Sequence, residues 1–141
     1  MNLQRAIEIA VEAHRGMTDK GGNLYILHPL RVMQSLSTDE ERIVGVLHDV
    51  VEDCESWTFE RLKKEGFSEN VLEALVSVTK SNDDSNYEEF VNRARSNPIG
   101  RKVKIADILD NLDLRRIEEI SEKDVARLQK YKKALSLLNE N

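Results

Sequence analysis

Thr38 and Glu41 open the segment that most limits the architecture of this chain. Their spacing is that of a capping box, in which a hydroxyl and a carboxylate reciprocally satisfy the free amides of a helix start. Ile43, Val44, Val46, Leu47, Val50 and Val51 follow, so the helix from Thr38 to Val51 is apolar on more than one side and belongs at the centre of other helices. His48 and Asp49 interrupt that apolar run, and Glu52 and Asp53 follow it. Ionisable groups in such a setting are costly unless paired or coordinated, and a metal ion would remove the cost.

The remaining segments also read as helices. Ala6, Ile9, Ala10 and Ala13 recur at helical spacing, and Gly16 offers a left-handed stop. Met17 to Leu27 is rich in turn residues and reads as a loop that delivers His28. Pro29 suits the first turn of the next helix, which Ser37 stops. Further helices are predicted from Thr58 to Lys64, from Ser68 to about Lys80, from Tyr87 to Ser96, from Pro98 through Leu112, and after Ser121 to Leu138. No alternating strand pattern, internal repeat or long linker is present. The expected class is all-α, with residues 1–141 forming one domain.

Composition narrows the partners. A net charge of −5 argues against a nucleic-acid binder, whose affinity rests on clustered cations. No apolar run approaches the roughly 20 residues that span a bilayer. The N-terminal residues, with Glu8 and Glu12 close behind, do not resemble a signal peptide, and the single Cys54 permits no internal disulfide, so a cytoplasmic location is the expectation. Acidic neighbours disfavour Cys54 as a nucleophile. Trp57 reads as a core anchor, and Asp83-Asp84 as a solvated turn.

A metal site is the main chemical expectation. An imidazole and a carboxylate side by side, as in His48-Asp49, suit Mn, Fe or Zn better than a hard oxygen-seeking ion. His28 upstream and Asp107 downstream complete a two-His, two-Asp set. Lys104 is an alternative partner for Asp107, while Asp110 and Asn111 extend a polar stripe along the same helix. His14 reads equally as a helix-end residue and as a member of the site.

These residues resemble the HD superfamily of metal-dependent phosphohydrolases, and more narrowly the hydrolase domain of RelA/SpoT-type alarmone enzymes and their small stand-alone relatives. The likeness runs through Ala13-His14-Arg15-Gly16, Asp19-Lys20-Gly21-Gly22, Tyr25-Ile26-Leu27-His28-Pro29, His48 to Asp53, Thr79-Lys80 and Lys104 to Asp107 with Asn111. It implies a helical HD-domain bundle in which His28, His48, Asp49 and Asp107 hold one Mn ion. It further implies that Glu52 and Asp53 assist the attacking water, and that Lys20 and Asn111 contact the nucleotide. The implied reaction removes the 3′-pyrophosphate of guanosine 3′,5′-bis(diphosphate), giving GDP or GTP and pyrophosphate. Two positions depart from the family pattern: Asp19 stands where many members have Arg, and Ile108-Leu109-Asp110-Asn111 stands where Arg-Leu-His-Asn is common. The first change keeps open another nucleotide or a phosphorylated NADP-like substrate. A nucleotide-binding module without turnover is the third reading, which intact Glu52 and Asp53 disfavour.

Overall fold

The computed structural model describes residues 2–140, and the described chain is all-α. The helices are α1 (Leu3–Ala13), α2 (Leu27–Gln34), α3 (Asp39–Leu47), α4 (Val50–Asp53), α5 (Phe59–Glu65), α6 (Glu69–Val78), α7 (Tyr87–Arg95), α8 (Pro98–Asn111) and α9 (Glu122–Leu138). Side-chain caps explain where they begin. Thr38 and Glu41 close the predicted capping box on α3, while Thr58, Ser68 and Ser121 cap α5, α6 and α9. Asn97 caps α8, with Pro98 in the first helical position where its missing amide costs nothing. Among the described residues there is no strand; one isolated antiparallel bridge, Thr18 to Leu24, pinches the loop between α1 and α2.

The predicted central helix is central. α3 packs against α1, α2, α6 and α8, and Val44, Val46 and Leu47 are fully buried beside Ile9, Ala10, Leu62 and Leu75. Trp57 is buried in the same core, as anticipated. Two glycines set helix spacing: a Cβ on Gly45 would meet Leu36 Cδ1 at 2.6 Å, and one on Gly100 would meet Ser77 Oγ at 2.0 Å, so α2–α3 and α6–α8 approach more closely than any side chain permits. A second, smaller cluster of Val91, Ile108, Ala134 and Leu138 joins α7, α8 and α9. α8 serves both clusters, through Val103 and Ala106 on one side and Ile108 on the other.

Four expectations need correction. The helix from Thr38 does not run unbroken to Val51: α3 ends at Leu47, His48 and Asp49 form a turn, and α4 restarts at Val50. The His48 ring helps to end α3, because its Nδ1 donates to the Gly45 carbonyl at 2.6 Å and satisfies one of the acceptors a helix end leaves free. α2 begins at Leu27, so His28 lies in its first turn rather than before it. A single 3₁₀ turn, Leu114–Arg116, fills the stretch between α8 and α9. Asp84 is not solvated: Arg93 donates to it at 2.6 Å and also to the Thr79 carbonyl at 2.8 Å, tying the loop before α7 to the end of α6. No helix among the described residues is long and apolar enough to cross a membrane.

Candidate functional site

Three parts of the fold converge on one point: the first turn of α2 brings His28, the α3–α4 turn brings His48 and Asp49, and the middle of α8 brings Asp107. His28 Nε2 lies 2.9 Å from Asp107 Oδ1 and 3.8 Å from Asp49 Oδ2. His48 Nε2 lies 3.1 Å from Asp49 Oδ2 and 3.4 Å from Asp107 Oδ1. Donor atoms of His28, His48 and Asp49 all fall within 4.8 Å of one another. All four predicted ligand residues are thus brought together.

Hydrogen bonds fix which ring nitrogens face inward. His48 Nδ1 is committed to Gly45, which leaves Nε2 buried with no hydrogen-bond partner. His28 Nδ1 donates to Asp110 Oδ2 at 2.7 Å, directing Nε2 to the cluster. Asp110 is itself held by Arg31, at 2.7 and 3.1 Å. Burial and its hydrogen bonds with His28 and Arg31 leave the Asp110 pKa at about 2, because the paired charges outweigh desolvation. Asp107 accepts from Lys104 Nζ at 3.0 Å and Asn111 Nδ2 at 3.1 Å, so the anticipated Lys104 pairing exists alongside the approach to both histidines. Burial opposes charge on His48, yet Asp49 and Asp107 raise its pKa well above the ordinary value; the site attracts positive charge strongly.

The donor set fits a divalent cation. An orphaned, buried imidazole nitrogen aimed at two carboxylates is an unfavourable arrangement without a cation between them. Two nitrogens and two oxygens suit a borderline transition metal. The carboxylate behind His28 is the orienting partner that metal-binding imidazoles commonly have. Sequence reading saw Asp110 only as part of a stripe, because its partners lie about 80 residues away.

Glu52 and Asp53 point in different directions. Glu52 lines a cavity of about 260 Å³ beside the cluster, together with Tyr25, Asn111, Lys80 and Lys130. Burial, then the neighbouring Asp49 and Asp53, raise its pKa, which suits a carboxyl that takes up a proton. Asp53 turns toward α1, where its Oδ2 lies 3.4 Å from the Nε2 of wholly buried His14. His14 also packs on Tyr25, ring centres 5.0 Å apart, and the Tyr25 hydroxyl donates to Asp49. His14 therefore belongs to the surroundings of the site, and its Nδ1 donates to the Ala10 carbonyl at 3.1 Å.

A second cavity of about 310 Å³ abuts the first across Tyr25 and Asn111, and Lys20, Arg116 and Arg127 line it. Asp19 lies there too, but its Oδ1 accepts from the Gly21 and Asn23 amides, both at 2.9 Å, so its carboxylate holds the loop together. Cys54 sits half-buried beside Ser56, away from this chemistry.

The family described as HD domain matches residues 6–109. The chain is 36% identical over 121 residues to a guanosine-3′,5′-bis(diphosphate) 3′-pyrophosphohydrolase of Aquifex aeolicus, covering 78% of this chain and 17% of that protein. It is 32% identical over 99 residues to a protein of the same name from Borreliella burgdorferi, covering 67% and 14%. A GTP pyrophosphokinase of Streptomyces coelicolor is 38% identical over 82 residues, covering 55% and 9%. The chain thus spans less than a fifth of these relatives. A solved structure described as a metazoan ortholog of SpoT that hydrolyzes ppGpp superposes with a TM-score of 0.81 at 22% identity, over 97% of this chain and 85% of that one. It establishes the shared fold.

Proposed function

The chain belongs to the HD domain family, and on that premise we propose that it is a metal-dependent phosphohydrolase removing the 3′-pyrophosphate from guanosine 3′,5′-bis(diphosphate). GDP is the product, or GTP when the 5′ end carries three phosphates. The observation that carries the reading is the buried, partnerless Nε2 of His48 facing Asp49 and Asp107 at the edge of a groove lined with cations. Names of the pyrophosphohydrolase relatives supply the substrate.

His28, His48, Asp49 and Asp107 would hold one ion, with Mn favoured by the mixed donor set. When bound, such an ion polarises a phosphoryl oxygen and lowers the pKa of a water. Glu52 then takes the proton of the attacking water as the new P–O bond forms and the bond to the ribose 3′ oxygen breaks; that oxygen recovers a proton as the nucleotide leaves. Asp53 steadies the Glu52 turn through His14. Asn111, bonded to Asp107 and lining both cavities, bridges the ion site to the nucleotide, while Lys20 meets it in the second cavity. We assign residues 1–141 to one such domain acting in the cytoplasm.

Asp19 favours a second reading, in which the same centre acts on another nucleotide or a phosphorylated NADP-like molecule, because its charge sits in the second cavity. Incubating Mn-loaded protein and its Glu52→Gln variant with a nucleotide panel, and resolving products by chromatography, separates the two. Release of pyrophosphate from guanosine tetraphosphate by wild type alone supports the first. Turnover of another nucleotide with none of this one supports the second.

A further inference from the structure

α9 lies beyond the residues that match the family, yet it walls the groove. Lys123, Arg127 and Lys130 are four and three residues apart and so share one face of that helix. Each lines a different cavity: Lys130 the one at the metal cluster, Arg127 the next, and Lys123 a third of about 820 Å³. The second and third cavities share Lys20 and Arg116, so the three form one continuous groove. From Lys123 to Lys130 the helix rises about 10 Å at 1.5 Å per residue, a length on the scale of a nucleotide.

The ends of this stripe lack anionic partners. Arg127 bonds Asp124 at 3.2 Å, but among the described residues neither Lys123 nor Lys130 has a carboxylate partner. The Lys130 ammonium rests 4.5 Å from the ring centre of Tyr87. Partial burial, then Lys104, Arg127, Lys80 and Lys20, push its pKa down, so cations surround it in a chain whose net charge is −5. Tyr87 lines the same cavity, and its buried hydroxyl has no hydrogen-bond partner. An uncommitted ammonium and an uncommitted hydroxyl beside one space match the oxygens of a phosphate.

We infer that the Lys123–Arg127–Lys130 face of α9 is a phosphate-binding stripe: Lys130 with Tyr87 holds the outer phosphate of the 3′-diphosphate, and Lys123 holds the terminal 5′-phosphate. This deepens the proposed function and rests on it for the identity of the nucleotide. The near end then distinguishes a diphosphate from a monophosphate, and the far end senses the 5′ phosphates.

Calorimetric titration of pyrophosphate and of inorganic phosphate into metal-free protein tests the near end without turnover. Wild type should prefer pyrophosphate, and Lys130→Gln should lose about tenfold in pyrophosphate affinity. Tyr87→Phe should lose a smaller factor in the same titration. Equal pyrophosphate affinity in wild type and Lys130→Gln overturns the near end. On Mn-loaded protein, Lys123→Gln should raise KM for guanosine tetraphosphate more than it lowers kcat; an unchanged KM overturns the far end. If no guanosine nucleotide is hydrolysed while Lys130→Gln still loses pyrophosphate, the substrate reading fails and the near end of the stripe stands.

Discussion

His48 donates its Nδ1 proton to the carbonyl of Gly45, three residues back on the same helix, and that bond leaves Nε2 as the atom facing Asp49 and Asp107. The bond that helps to end α3 is therefore the one that orients a metal-binding nitrogen. Fold and site share a single contact.

Metal analysis checks this arrangement first. Purified protein should carry one divalent transition ion per chain, lose it to chelator, and recover activity with Mn better than with Mg. Asp107→Ala should abolish binding with the helices retained by circular dichroism. Full turnover in chelator-treated protein removes the ion from the reaction.

Asp110 supports His28 from behind, so Asp110→Asn should weaken metal affinity by about 10–100-fold, the usual cost of losing an orienting carboxylate. Competition against a chromogenic chelator measures it. Wild-type affinity in the variant reduces Asp110 to an anchor for Arg31.

Glu52→Gln should keep the metal and the fold while lowering kcat by about 10²–10⁴-fold, because the amide cannot take a proton. Asp53→Asn and His14→Gln act on one contact, so their effects on kcat should fail to add in the double variant. Additive losses show that Asp53 works apart from His14.

Asp19 holds its loop through two amides, so its replacement has two separable effects. Asp19→Asn keeps an acceptor oxygen, removes the charge, and should lower KM for a polyanionic nucleotide, with the gain shrinking at high salt. Asp19→Arg loses the loop bonds and should lower KM less. A lower KM for Arg than for Asn shows that the loop bonds matter little.

Acid should loosen the tie between Asp84 and Arg93. The hydrogen bonds from Arg93 lower the pKa of Asp84, so its contribution is present above the unfolded aspartate value of about 3.9 and is lost as pH falls through the lower folded value. Asp84→Asn should show a weaker fall in thermal midpoint over that acidic range. Parallel curves for variant and wild type refute the assignment.

Much of this architecture is legible before any coordinates. Thr38, Thr58, Ser68, Asn97 and Ser121 mark helix starts by local hydrogen bonds, and local bonds are written in local sequence. The gathering of His28, His48, Asp49 and Asp107 was also anticipated, since costly polar groups in apolar helices need one another. The break at His48-Asp49 was not, because no Gly or Pro marks it and the valines on both sides continue the helical pattern. Asp84–Arg93, His28–Asp110 and Asp53–His14 escaped for another reason: each joins elements whose packing decides the pair. The divergence of Glu52 from Asp53 likewise depends on where α1 lies.

Because α8 serves both apolar clusters, the molecule has two regions of unequal stability around one rigid helix. The smaller cluster, Val91, Ile108, Ala134 and Leu138, buries far less than the core about α3, so α9 should open to solvent exchange at lower free energy than α3 does. Such an excursion would uncover the groove wall while leaving His28, His48 and Asp49 seated in the larger core. Entry and exit of a large anion can thus be timed by the fraying of one helix, with the reacting centre undisturbed throughout.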